Sequence, residues 1–192
     1  MMSNCRQKIT LTNFKMRNIS FVFVFLGASL LWSCGNKADM KVAENAVLQQ
    51  EDGTLALDME KATCYNDEFD PSSNTAEWNV VISKPGRFKV WLSSATKDTT
   101  ELSYVNSVKI SLLDNQLEVD PACDKIVLNS DKVSYPYFRA DSYMGSFYIS
   151  EAGEYNIQVI SEKVLPREAM NTITSGHDDT RLMSVILSPN TR

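Results

Sequence analysis

The chain has 192 residues, with 19 cations against 24 acids and a formal charge of −5. That balance excludes a nucleic-acid binder, which needs clustered Lys and Arg, and it offers no attraction to an anionic membrane surface. One histidine and four cysteines, in no zinc-like spacing, leave little for metal catalysis.

Taken from the start, residues 1–33 read as a secretory signal peptide. Four cations (Arg6, Lys8, Lys15, Arg17) and no acid lead into an apolar run from Ile19 to Trp32, then Ser33-Cys34. The run is shorter than the ~20 apolar residues of a membrane-spanning helix. Leu31-Trp32-Ser33 before Cys34 resembles the bacterial lipobox, after which the cysteine takes a lipid, although Trp32 stands where a small residue is usual. Cys34 is therefore the lipidation candidate, and the expected location is the bacterial outer membrane or cell surface. An ordinary secreted protein with an incidental Cys34 is the alternative. Without residues 1–33 the chain holds 15 cations and 24 acids, a charge of −9. Cys64 and Cys123 then remain; an oxidising compartment permits one disulfide between them, and two buried free thiols are the other reading.

Residues 34–52 are polar and without period, and read as a tether. Residues 53–190 are the size of one domain, and period-2 alternation runs through them. In TLALDMEK, Leu55, Leu57 and Met59 share a face; in EWNVVIS, Trp78, Val80 and Ile82; in RFKVWLS, Phe88, Val90 and Leu92 stand against Arg87, Lys89 and Trp91. NSVKISLL and QLEV flank a tight turn at Asp114-Asn115, and KIVLN, SFYIS, EYNIQVIS and RLMSVILS complete about nine short strands. The spacing predicts an all-β antiparallel β-sandwich. Only 166–170 looks helical, for about one turn.

One clause is written twice: ISKPGRFKVWL at 82–92 and ISEAGEYNIQV at 149–159. Each reads as a strand, a glycine turn and a strand, which predicts two similar hairpins in facing sheets. The ring after each turn, Phe88 or Tyr155, should begin a buried row.

GTLALDMEKATCYN, AEWNVVISKPGRFKVWLSSA, VKISLLDNQLEV, GSFYISEAGEYNIQV and LMSVILSP together resemble the galactose-binding-like jelly rolls, more narrowly carbohydrate-binding modules of the family 6 and family 35 kind. The resemblance covers most of 53–190, and its motifs are structural. It implies a jelly roll that binds sugar without catalysis. It also implies a structural calcium between an acidic first strand and an aspartate in the last. Asp58 and Glu60 fit the first half of that site; Ser184 stands where the aspartate is expected. No other cofactor is expected.

A sugar site needs a flat ring and a few polar groups aimed at hydroxyls. DKVSYPYFRADSYMGS, residues 131–146, offers Tyr135, Tyr137, Arg139, Asp141 and Tyr143, and Pro136 suggests a loop or edge displaying them. Trp91, among Arg87 and Lys89, is the other ring candidate. Trp78 reads as core. No catalytic residues are assigned: His177 with Asp178 and Asp179 has nothing to orient it, and Asp67, Glu68 and Asp70 read as a solvated acidic loop rather than a glycosidase pair. The expected function is therefore binding of a polysaccharide or glycoconjugate at the cell surface. The competing expectation is an envelope or assembly lipoprotein whose sandwich grips a protein partner through an exposed apolar patch.

Overall fold

A computed structural model describes residues 45–165 and 180–190. The stretch read as a signal peptide, Cys34, the turn expected to be helical at 166–170 and His177 with its two aspartates lie outside them. Among the described residues no helix is long and apolar enough to cross a membrane.

Eleven strands are found among the described residues: β1 (Val47–Leu48), β2 (Leu55–Asp58), β3 (Thr63–Tyr65), β4 (Thr75–Ile82), β5 (Gly86–Thr96), β6 (Val108–Leu112), β7 (Asn115–Val119), β8 (Lys125–Val127), β9 (Phe138–Ile149), β10 (Gly153–Ile160) and β11 (Thr180–Pro189). The first sheet runs β1-β4-β10-β6-β7, with β3 also on β4; the second runs β2-β11-β5-β9-β8. Every pairing is antiparallel except β1 with β4. The alternation decides the layers. Trp78, Val80 and Ile82 of β4, Phe88, Val90 and Leu92 of β5, and Val185 and Leu187 of β11 all turn into one core, each such side chain contributing about 1.5–3 kcal/mol. Trp78 is 1% exposed, and its indole N–H donates to the Asp58 carbonyl at 2.9 Å, tying one sheet to the other. The fold is an all-β jelly-roll sandwich, as the alternation predicts.

The repeated clause makes no hairpin. β4 lies in the first sheet and β5 in the second, so Ser83–Pro85 cross between sheets; β9 and β10 cross back the other way. The two copies then pair with each other. Ile82 is opposite Gly153 and Gly86 opposite Ile149; Val80 faces Tyr155 and Phe88 faces Phe147. Ile82 and Ile149 are equivalent, as are Gly86 and Gly153, so the pairing is that of a local two-fold. The hairpin expectation fails because a strand–turn–strand pattern is the same whether the second strand returns beside the first or to the opposite layer.

Two boundaries also move. Val47–Leu48 are a strand inside the stretch read as tether: Val47 is buried, and the Gln49 side chain accepts from the amides of Ser83 (3.0 Å) and Lys84 (2.7 Å). Two residues are too few to show a period. Residues 138–149, expected as a loop or edge for much of their length, are a 12-residue strand held between β5 and β8. Pro136 lies before that strand and bounds it.

Candidate functional site

The outward face of the second sheet collects most of the residues singled out in the sequence. Its β5 residues are those alternating with the core: Arg87, Lys89, Trp91, Ser93 and Ala95. Registration places partners on either side of each. Trp91 lies between Ile186 of β11 and Tyr143 of β9, and Ser93 between Ser184 and Asp141. Ala95 lies between Arg181 and Arg139, and Lys89 between Ser188 and Ser146.

Tyr143 reaches this face through a β-bulge. Val90 pairs with Gly145 and Trp91 with Tyr143, leaving Met144 as the extra residue. A one-residue insertion reverses which side chains face out, so Met144 is buried and Tyr143 is 43% exposed. Gly145 carries the kink at φ +123°, and a Cβ there would come within 3.0 Å of Leu117 Cδ2 across the core. The outcome is a ring pair: the Trp91 and Tyr143 centroids are 5.2 Å apart, with planes inclined at 56°. Tilted rings at this separation attract by about 0.5–1.5 kcal/mol. With half-buried Ile186 on the other side, they form an apolar step on an otherwise polar face.

The row beyond is closed. Arg139 donates from Nε to Asp141 Oδ1 (2.7 Å) and from a terminal nitrogen to Oδ2 (2.9 Å), and Ser93 Oγ donates to Oδ1 at 2.6 Å. Asp141 is 4% exposed, and Ser93 and Ser184 are buried beside it. The cover is the β8–β9 connection, which crosses the sheet far enough for Lys132 Nζ to reach Asp58 Oδ1 at 2.8 Å on β2. Arg139 and Asp141 therefore spend their hydrogen bonds on each other and on Ser93. Tyr137, on the same connection, has Arg181 Cζ 5.2 Å and Lys97 Nζ 5.3 Å from its ring centre, a cation–π arrangement. Tyr135 stands out in solvent. Of the six predicted sugar-binding residues, the fold joins Trp91 with Tyr143 and, separately, Arg139 with Asp141.

Asp58 and Ser184, of the implied calcium site, lie on β2 and β11. Ser184 is indeed the register partner of Asp58, but the Asp58 carboxylate is already given to Lys132. Among the described residues no group of three or more His, Cys, Asp or Glu comes together. A calcium ion wants six to eight oxygens, more than the side chains of Asp58 and Ser184 offer by themselves. Cys64 and Cys123 are not bonded to each other. Burial first, then the charges of Asp98 and Asp124, pushes the Cys123 thiol up from its ordinary range. The acidic loop at 67–70 builds turns: Asp67 accepts from the amides of Phe69 (2.8 Å) and Asp70 (3.2 Å), and Asp70 from the Ser72 hydroxyl (2.5 Å).

Ile186, Ser146, Ser188 and Lys132 were not expected at the site. Alternation shows which side of its own strand a residue takes; it does not show which distant strand lies alongside.

No protein-family model matches the chain, and no curated protein matches it. Among solved structures, the alpha-L-fucosidase from Vibrio sp. strain EJY3 is similar with a TM-score of 0.59 and 25% identity, covering 76% of this chain and 24% of the enzyme. The chain thus spans about a quarter of that protein's length. A Podospora anserina GH26-CBM35 beta-(1,4)-mannanase is similar at a TM-score of 0.44 and 14% identity, covering 73% of this chain and 28% of the other. The insecticidal crystal protein Cry2Aa is similar at 0.43 and 14%, covering 74% and 22%. The last two are too loose to bear on function. The likeness to the fucosidase is compatible with a galactose-binding-like sandwich.

Proposed function

We propose that this protein binds carbohydrate without acting on it, using the outward face of β11, β5 and β9, and that a lipid on Cys34 holds it at the cell surface. The observation that carries the reading is the Trp91–Tyr143 pair. Two inclined rings beside Ile186 offer the C–H face of a pyranose an apolar seat, and the hydroxyls of Ser146 and Ser188 sit one register step away. The fucosidase, by its name a sugar-processing enzyme, supports the same substrate class. Calcium has no part in this proposal.

The test is a titration of the purified protein with a panel of polysaccharides and oligosaccharides by calorimetry, repeated with Trp91→Ala and Tyr143→Ala. Saturable binding is expected, with a loss of about tenfold or more for each variant, the scale of removing an aromatic anchor from a binding surface, about 2 kcal/mol. Binding that survives both substitutions places the sugar elsewhere. Absence of binding across the panel returns the sandwich to the competing expectation of a protein-gripping scaffold.

A further inference from the structure

We propose that the Trp91–Tyr143 surface takes an anionic polysaccharide, one whose sugars carry carboxylate or sulfate groups. The inference rests on the reading of that surface as a sugar platform and adds its charge. Along β5, Trp91, Lys89 and Arg87 follow one another on the same face, and both cations are exposed. Among the described residues the Arg87 side chain donates to the Ser146 hydroxyl, at 3.5 Å, and no carboxylate forms an ion pair with either cation. Two acids of this face carry ion pairs, Asp58 with Lys132 at 2.8 Å and Asp141 with Arg139 at 2.7 Å; exposed Asp124, which accepts from the Tyr143 amide at 2.7 Å, sets one negative charge at the far side of the rings. Among the described residues, Lys89 and Arg87 are thus two positive charges beside the rings with no ion-pair partner. They stand out on a chain of net charge −5, which as a whole repels a polyanion.

The geometry also suits a polymer. Trp91 to Arg87 is a run of about 13 Å at the rise of a strand, and Tyr148, exposed, lies opposite Arg87. Beyond Arg87 is a shallow hollow of about 240 Å³, whose lining includes Lys84, Gly86 and Asn190. Its one acid, Asp52, turns both carboxylate oxygens to Thr54. A chain laid along β5 meets the rings first, then Lys89, then Arg87.

The experiment compares polymers that differ only in charge: polygalacturonate against its fully methyl-esterified form, and dextran sulfate against dextran. The charged member of at least one pair should bind about fivefold tighter or more, the scale of one or two exposed ion pairs, and the advantage should shrink as salt rises. The carboxylate and sulfate arms show which anion is preferred. Lys89→Gln with Arg87→Gln should bring the charged polymer to the level of the neutral one. Lys109→Gln, which makes the same charge change on the other sheet, should leave the preference intact. Equal affinity for charged and neutral polymers, still abolished by Trp91→Ala, overturns the charge inference and leaves the sugar platform standing. A preference that survives the Lys89–Arg87 double variant overturns it as well. No binding to any of the four polymers overturns the charge inference, while the sugar platform is decided separately by the glycan panel.

Discussion

At the scale of single residues, the fold meets its constraints with side chains that leave visible costs. Leu113, between β6 and β7, holds a backbone φ of +52° and is 70% exposed. A left-handed conformation costs a residue with a Cβ about 1–2 kcal/mol, and glycine escapes most of that. Leu113→Gly should therefore raise stability by about 1 kcal/mol, read as a higher urea midpoint at constant slope. Arg139 presents the opposite case. Its removal leaves the Asp141 carboxylate buried with only Ser93 as partner, and Arg139→Ala should cost about 3 kcal/mol or more, measured by the same denaturation. A cost under 1 kcal/mol would mean that water replaces the guanidinium.

Asp98 illustrates a pH effect whose sign can be fixed. Its carboxylate accepts from the Thr100 hydroxyl (2.6 Å) and amide (2.8 Å), which holds its pKa below the usual 3.8. A lowered pKa contributes stability above the unfolded value that is lost as pH falls through the folded one. The turn at 98–101 should thus stay ordered through neutral pH and loosen only below 3.8. Hydrogen exchange at the Thr100 amide checks this, and loosening already at pH 5 would contradict it.

At the scale of elements, β5 was legible because its alternation is unbroken from Phe88 to Leu92. β9 was legible only in halves. Its C-terminal part alternates cleanly at Phe147 and Ile149, and Arg139, Asp141 and Tyr143 alternate at their own odd positions. Those odd positions face out while Phe147 and Ile149 face in, because the bulge at Met144 reverses the sense between them. The written signal for that reversal was Gly145, and one glycine in a strand does not say where the ladder slips. The bulge is also what delivers Tyr143 to Trp91. Gly145→Ala should cost about 2 kcal/mol or more, from the positive φ and the approach to Leu117, and should weaken sugar binding although position 145 faces the core. Full binding in a stable Gly145→Ala variant would show that the ring pair does not depend on the bulge.

At the scale of the molecule, the repeated clause makes sheet crossings instead of the two hairpins it predicts. Its copies cross between the sheets in opposite directions and pair with each other at one end of the sandwich. The likeness of the copies was readable; their partnership was not, because pairing between two stretches offset by 67 positions leaves no local trace. The same limit applies to the site. Trp91 and Tyr143 were both singled out, each for its own surroundings, yet only the β5–β9 register joins them. The covering connection with Lys132 was invisible for that reason too. It closes one half of the outward face and leaves open the half that carries the rings, Lys89 and Arg87.

The described residues contain two tryptophans, and they differ as a probe requires. Trp78 is 1% exposed with its indole N–H bonded to the Asp58 carbonyl, while Trp91 lies on the outward face against Tyr143. The decisive measurement follows both indole N–H signals in a nitrogen–proton correlation spectrum as polygalacturonate or a neutral glycan from the panel is added. With the sugar seated on the ring pair, the Trp91 signal should move saturably while that of Trp78 stays in place. Glycan binding that leaves Trp91 unmoved would contradict the assignment of the site, and two motionless signals across the panel would contradict the function.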